Sequence, residues 1–354
     1  MRIVMTLLAR DERDIVEQHL DFHLAAGVDL LLVTDHASSD GTQDVLAEYE
    51  RGGRVKVLRE PDGPFRQREW VTRMARLAAT EHGADWVVNS DADEFWWPRG
   101  GDLREVLASI PRRYGLVQSF VRHFVPVPDD GGPFQERLTL RLASAAPIND
   151  PRSPWRPFRK VVHRAHPTAA VVEGSHSIGG TSFVPMRGWY PLEVLHFPIR
   201  TAAQLERKGA LWGSAVEKFY AGEEVVAGPG AAYHALAFRD AEEGRSETVF
   251  AELVGAAEDR EAALRDGLLV EDTRICEALR RLGDSPGSLA FPRPSAAEDA
   301  AFAVDAAVLG EGDLIRVRRR LDELAQRVAS LEARPGAQVA RRLGTVLRRA
   351  RRRT

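Results

Sequence analysis

Asp91 and Asp93 stand one residue apart at the end of an apolar run, Trp86-Val87-Val88-Asn89-Ser90, and lead into Glu94-Phe95-Trp96-Trp97. Two carboxylates on one short turn offer hard oxygen donors. Such donors suit Mg²⁺ or Mn²⁺ and leave coordination positions that the oxygens of a diphosphate can fill. The same pair would serve equally as a solvated turn after a strand, so its meaning depends on what else converges on it. A further acid, Asp35, closes another apolar run in Thr34-Asp35-His36-Ala37-Ser38-Ser39-Asp40-Gly41-Thr42. A carboxylate there can accept hydrogen bonds from a nucleobase imide or a ribose hydroxyl, and Ser39 or Asp40 suits the N-cap of a following helix. A third acidic cluster, Arg10-Asp11-Glu12, follows the first apolar run of the chain.

To bring three such clusters to one place, the chain needs strands that end side by side. Residues 2–8, 28–34, 55–58 and 85–90 read as buried strands, separated by helical patterns over 12–26, 42–49 and 67–81. Strand and helix in alternation predict a mainly parallel, doubly wound α/β sheet, which binds ligands beyond the carboxyl ends of its strands. Strand candidates at 115–125, 138–142, 160–162, 169–172 and 194–197 lie between Pro- and Gly-rich loops and predict a mixed extension of that sheet. The expected organisation is therefore a first half over 1–98, a mixed α/β half of the same domain over 99–200, a helical region over 201–282 and a Pro/Gly/Ser-rich linker over 283–298. Beyond it, helical residues 299–334 carry Leu314, Val317, Leu321, Leu324, Val328 and Leu331 at the spacing of a short coiled coil. Residues 335–354 form a basic amphipathic tail.

Composition narrows the class. With 354 residues, 44% hydrophobic and 29% charged, the chain has the make-up of a globular protein. No run approaches the ~18 apolar residues of a membrane-spanning helix, and charged residues 10–13 come too soon for a signal peptide, so a cytoplasmic protein is expected. A single cysteine, Cys276, excludes an internal disulfide framework and a cysteine-rich zinc site. The net charge of −3 conceals seven arginines and no acid in residues 336–354, which leaves 42 basic against 52 acidic residues in the rest. An acidic body argues against nucleic acid as a ligand. The tail suits an anionic membrane surface, which would make the protein peripheral on the inner face of the cell membrane, and the coiled coil suits a homo-oligomer.

The order of Leu8-Ala9-Arg10-Asp11-Glu12, Asp35-His36-Ala37-Ser38-Ser39-Asp40-Gly41-Thr42 and Asp91-Ala92-Asp93-Glu94-Phe95, each after a strand, resembles the family 2 glycosyltransferases of the GT-A fold. Within that family it resembles most a bacterial subgroup with an Asp-X-Asp-Glu-Phe signature. The resemblance is strongest over residues 1–98 and continues more thinly to about residue 220, where Leu195-His196-Phe197-Pro198-Ile199-Arg200 looks like a late His-containing motif. It implies that Asp35 contacts the base of a nucleoside-diphosphate sugar, with uridine or guanosine as the default nucleoside. It also implies that Arg10, Asp11 and Glu12 line the same pocket, although this loop departs from the commoner Asn-Glu-Glu form. Arg73 matches an arginine that faces the nucleotide, and Arg66 and Arg68 stand at the start of the same helix, within reach of a diphosphate. Asp91 and Asp93 match the metal-binding pair, with Asp93 the direct ligand and Asp91 the partner of donor ribose or sugar. His196 matches a third ligand for Mn²⁺ or Mg²⁺, and a core histidine bonded to backbone is the other reading of it.

Transfer of a sugar with inversion also needs a base for the acceptor hydroxyl. The candidates are Glu173 and His176 in Val172-Glu173-Gly174-Ser175-His176, with Asp150 a second choice, and one of Trp96 and Trp97 could stack on an acceptor sugar. The acceptor itself, whether glycan, lipid-linked or a small molecule, is open. Other readings are a sugar nucleotidyltransferase, which would carry a glycine-rich loop where residues 7–13 have none, a two-metal hydrolase, which would carry more His and Asp ligands, and a non-catalytic transferase-like scaffold.

Overall fold

The computed structural model describes residues 1–143, 155, 158–220, 231–307 and 326, with backbone alone at 173, 212–220 and 231–235. The expected coiled coil and basic tail lie outside these residues, apart from position 326. The chain divides into two compact units, Met1–Phe302 and Ala303–Thr354, and the sheet and all three acidic clusters belong to the first.

Strands β1 (Ile3–Ala9), β2 (Leu30–His36), β3 (Val55–Glu60) and β4 (Trp86–Asp91) alternate with helices α1 (Val16–Ala25), α2 (Thr42–Arg51) and α3 (Gln67–Thr80). After β4 come β5 (Glu94–Pro98), α4 (Leu103–Ala108), β6 (Leu116–His123), the short α5 (Phe134–Arg137), β7 (Leu140–Leu142), β8 (Arg159–Arg164), β9 (Ala170–Val171), β10 (Ile178–Gly179) and β11 (Leu192–His196). Helices α6 (Ala202–Tyr220), α7 (Ala231–Glu242), α8 (Ser246–Val254) and α9 (Ala257–Arg265), strand β12 (Leu269–Glu271) and helix α10 (Arg274–Asp284) follow, and residues 296–307 are helical as well. One sheet of eight strands, in the order β3-β2-β1-β4-β8-β6-β11-β5, forms the centre. The first four strands are mutually parallel, β8 runs antiparallel between β4 and β6, β11 is parallel to β6, and β5 returns antiparallel at the far edge. A mainly parallel sheet with a mixed extension is what the alternation of elements predicts.

Period-two patterning explains why the first strands are apolar throughout. Ile3, Met5 and Leu7 of β1, with Leu31 and Val33 of β2, face a core shared with Val16, Leu20 and Phe22 of α1. Val4, Leu30 and Leu32 face the opposite core, filled by Val71, Met74, Ala75 and Ala78 of α3. A sheet covered on both faces leaves no polar side to its strands. Among the described residues no helix is long and apolar enough to cross a membrane.

Three local expectations change. Helix α1 begins at Val16 and not at residue 12, because Asp11 sits in the left-handed region (φ 54°) and residues 12–15 form a turn. Trp96 and Trp97 are buried, Trp96 completely, so neither is open to a sugar. Trp96 bonds through Nε1 to Ser90 Oγ, and Trp97 packs between Phe22 and Phe291. Residues 285–295, which composition reads as a linker, are seated on the main core. Leu289 and Phe291 are buried, Leu289 N donates to the Ala25 carbonyl, and the Phe291 carbonyl accepts from Gly101 N. Turn-forming composition marks irregular backbone here, while two apolar residues decide where it lies. Phe291→Ala is therefore expected to destabilise the protein by about 3 kcal/mol in urea unfolding. A change below about 0.5 kcal/mol, the value for a free surface tether, would show that the segment is not part of the core.

Candidate functional site

The register of β1 with its two neighbours sets the geometry. Ala9 pairs with Asp35 of β2, and Leu8 pairs with Asp91 of β4. The two acids thus flank the carboxyl end of the same strand, two strand spacings or ~10 Å apart.

The loops beyond β1 and β2 are sewn together. Backbone amides of Asp11, Glu12 and Arg13 donate in turn to Ser38 Oγ (3.0 Å), Thr42 Oγ1 (2.9 Å) and Asp40 Oδ2 (3.0 Å), and Asp11 Oδ1 accepts from Ser39 N at 2.7 Å. The Ser-Ser-Asp-Gly-Thr run therefore serves the neighbouring loop as much as its own turn. Asp35 is buried. Its Oδ1 accepts from Ser38 N at 3.4 Å, and its Oδ2 has no partner. A buried carboxylate oxygen left without a donor is costly, which marks it as a place for a ligand donor. Arg10 reaches the His36 ring at 3.2 Å and Asp62 at 2.9 Å. Arg66 and Arg73 are exposed and paired with Glu69 and Glu60.

The chain turns back at Ala92-Asp93, so that Asp91 ends β4 and Glu94 begins β5. Glu94 Oε2 accepts from Asp91 N at 3.2 Å and holds this turn shut. Below it, Ser90 Oγ meets His19 Nε2, Trp96 Nε1 and the carbonyls of Asp91 and Glu94 at 3.1–3.2 Å. Burial keeps the His19 imidazole neutral, pulling its pKa down to about 3.

Because β5 pairs with β11, Glu94 lies opposite His196, and Phe197 N donates to the Asp93 carbonyl at 2.9 Å. His196 Nε2 then stands 3.5 Å from Asp93 Oδ1. Asp93, Glu94 and His196, all buried, offer ligand atoms that lie within 4.8 Å of one another. Two carboxylates and an imidazole match the donor set of a small divalent cation. Asp91 falls outside this trio. Its Oδ2 receives Lys160 Nζ at 2.8 Å and its Oδ1 receives Gln67 Nε2 at 3.2 Å.

Several charged residues here were not among the sequence candidates. Lys160 of β8 also reaches Glu94 Oε1 at 2.7 Å, and Lys208 of α6 reaches Asp93 Oδ2 at 2.5 Å. Arg200 is completely buried, bonding Asp14 at 2.6 and 3.0 Å and also Glu12. Glu12 is thus engaged by an arginine from beyond β11. The late motif Leu195–Arg200 contained Arg200 in plain sight. The two lysines gave no signal, because a lysine in a strand or on a helix reads as a solvent residue until its neighbours are known.

These contacts join five carboxylates, Glu12, Asp14, Asp91, Asp93 and Glu94, to three fixed cations, Lys160, Arg200 and Lys208. With every carboxyl ionised, the formal charge of the group is −2. Burial raises Glu94 to about 8 despite Lys160, and raises Glu12 to about 7 despite Arg200. Burial would raise Asp93 as well, but Lys208 and His196 outweigh it and hold that carboxyl well below its usual range. Burial lowers the His196 pKa, so the ring is a neutral donor.

Of the candidate bases, Asp150 lies outside the described residues, as does the side chain of Glu173. The turn that carries Glu173 is tied to the acidic centre, since Gly174 N donates to Gln67 Oε1 (3.2 Å) while Gln67 Nε2 holds Asp91. Gly174 has φ 68°, and a Cβ there would meet His176 Nε2 at 2.5 Å, so only glycine fits. His176 Nδ1 donates to the Arg159 carbonyl at 2.8 Å, which makes Nε2 its basic nitrogen.

No family model and no curated protein matches the chain. Solved structures do. Glucosyl-3-phosphoglycerate synthase from Mycobacterium tuberculosis, in complex with Mg²⁺ and uridine diphosphate, is 25% identical over 34% of this chain and 43% of its own, with a TM-score of 0.25. The same enzyme with Mn²⁺, uridine diphosphate and glucosyl-3-phosphoglycerate is 22% identical over 46% and 57%, with a TM-score of 0.27. S. aureus TarS 1-349 with uridine diphosphate is 12% identical over 80% and 91%, with a TM-score of 0.31. The chain spans under half the length of the first mycobacterial structures it matches.

Removal of the Arg200 guanidinium leaves Glu12 and Asp14 without their buried partner. Arg200→Met is expected to cost about 3 kcal/mol in urea unfolding. A cost below about 1 kcal/mol would show that the two acids find other partners.

Proposed function

We propose that the chain is a metal-dependent glycosyltransferase of the family 2, GT-A type, transferring a sugar from a nucleoside diphosphate to an acceptor hydroxyl with inversion. One observation carries the reading. Asp35, with its unpartnered buried oxygen, and the Asp93-Glu94-His196 trio stand at the same sheet edge, fixed by the pairing of β2 and β4 with β1. One can hold the base or ribose and the other the cation that meets the diphosphate.

Bound at the trio, Mn²⁺ or Mg²⁺ would neutralise charge on the departing diphosphate. An imidazole in the set favours Mn²⁺ over Mg²⁺. Lys208 and Lys160 add fixed positive charge beside it. Asp91, held by Lys160 and Gln67, keeps the turn rigid and presents its remaining lone pairs toward the donor ribose or sugar. As the acceptor oxygen forms its bond to the anomeric carbon and the bond to diphosphate breaks, the hydroxyl proton passes to Glu173 or to His176 Nε2. Gln67 ties their turn to Asp91, which keeps base and donor in register.

Thermal melting with a panel of uridine and guanosine diphosphate sugars, with and without Mn²⁺, tests the reading. One donor should raise the Tm only when Mn²⁺ is present. Asp93→Asn should abolish that metal dependence, whereas Asp35→Asn should weaken nucleotide binding by about tenfold to a hundredfold and leave Mn²⁺ binding alone. A panel without any metal-dependent response would refute the proposal.

The raised carboxyl groups predict a pH dependence. Glu94 can ligate only when ionised and titrates at about 8 in the metal-free protein, so ion binding at lower pH must expel its proton. Mn²⁺ affinity should climb as pH rises toward 8 and then level off. Calorimetry at pH 7 in buffers of different ionisation heat should show release of about one proton per ion. Uptake of protons, or none exchanged, would remove Glu94 from the ligand set.

A further inference from the structure

We propose that His123 is a positioning residue of the cation site, fixing the tautomer and ring orientation of His196 so that its Nε2 lone pair is presented beside Asp93. The inference rests on the metal-dependent reading of the site. His123 ends β6, His196 ends β11, and the two are direct partners in the parallel ladder between these strands. Their Nδ1 atoms lie 3.1 Å apart. The ring planes are inclined by 59° with centroids at 5.2 Å, so nitrogen meets nitrogen at the ring edges and the rings are not stacked.

Two ring nitrogens at this distance share one proton, and one ring donates while the other accepts. When His196 Nε2 gives its lone pair to a cation, the proton of that ring is on Nδ1. His123 Nδ1 is then the acceptor, and its own proton is on Nε2. The contact thus couples the two tautomers. His123 is buried and walled by Phe158 at 5.1 Å and Trp155 at 6.1 Å, which keep its ring from swinging away.

The partner of a ligating histidine is commonly a carboxylate or a carbonyl. A carboxylate here would add negative charge to a group already at −2. A neutral imidazole orients His196 and leaves the charge balance for the cation unchanged.

Calorimetric titration of Mn²⁺ into the full chain, without nucleotide, reads the effect directly. His196→Ala should weaken binding at least tenfold, and His123→Phe, which keeps an aromatic ring but no ring nitrogen, should weaken it about 10- to 100-fold. His123→Asn, whose amide stands where Nδ1 stood, should restore affinity close to that of the wild type. Wild-type affinity in His123→Phe alongside a weakened His196→Ala would overturn the positioning role and leave the metal reading standing. Unchanged affinity in His196→Ala would remove the metal reading and this inference with it. Should His123→Phe not fold, nitrogen NMR of the histidine-labelled wild type saturated with Mg²⁺ decides the matter. The His196 proton is expected on Nδ1, and a proton on Nε2 would refute the assignment.

Discussion

The two-residue reversal after Asp91 is the constraint on which the rest of the site depends. A strand at the middle of the sheet ends there, and the chain leaves at once for the far edge, where β5 can pair only in the opposite sense. That pairing aligns Glu94 with His196, and the Phe197 amide closes onto the Asp93 carbonyl. Residues a hundred positions apart thus become neighbours through backbone hydrogen bonds, and the side chains inherit their geometry from the ladder. The floor of the turn is equally fixed, since a single serine hydroxyl, Ser90, joins a helix histidine, a tryptophan and two carbonyls. A reversal held from both sides can keep acids close together against their repulsion.

Repulsion is the main cost of this design. Carboxylates removed from water favour their protonated forms unless cations stand beside them. The chain supplies three, each from a different element: Lys160 from β8, Arg200 from the connection between β11 and α6, and Lys208 from α6. Each is charged and largely or fully withdrawn from solvent, so the acids in turn hold the cations in place. With every carboxyl ionised the arrangement stops short of neutrality by two charges, an excess that protons on Glu94 and Glu12 reduce near neutral pH. A protein evolved only to stabilise the turn would gain by replacing the ionic group with apolar packing. In the proposed reading, the clustered ligand atoms of Asp93, Glu94 and His196 are kept for a cation that comes and goes.

Much of this was legible in the sequence. Apolar strands alternating with amphipathic helices give the parallel sheet, and acids at strand ends give the edge where ligands bind, because both signals are local in the chain. Asp35 and Asp93 are acids at such strand ends, whereas His196, far along the chain, entered only through the resemblance and had a core histidine as its other reading. Lys160, Lys208 and His123 were not legible, since their roles arise from pairing between strands and helices distant in sequence. Nor was the fate of Trp96 and Trp97. Adjacency to the acidic turn suggested a sugar platform, but Trp97 is covered by Phe22 of α1 and by Phe291, and Trp96 is completely buried with its Nε1 on Ser90 Oγ. The error has a general cause: alternation along a strand shows which residues share a face, and only the surrounding elements show whether that face is covered.

In the proposed reading, charge also orders the events at the site. Before any ligand arrives, Lys208 is committed to Asp93 and Lys160 to Asp91 and Glu94. Asp93, Glu94 and His196 would hold a divalent ion, whose charge would loosen the hold of Asp93 on Lys208 and of Glu94 on Lys160, while Asp91 keeps Lys160 in place. A diphosphate arriving next is strongly anionic and meets cations that no longer have full partners. Without the ion, the same diphosphate would face a net negative centre and lysines already engaged. In this reading ion and nucleotide would bind with positive coupling, and its origin would be the competition of ion and lysines for the same carboxylates.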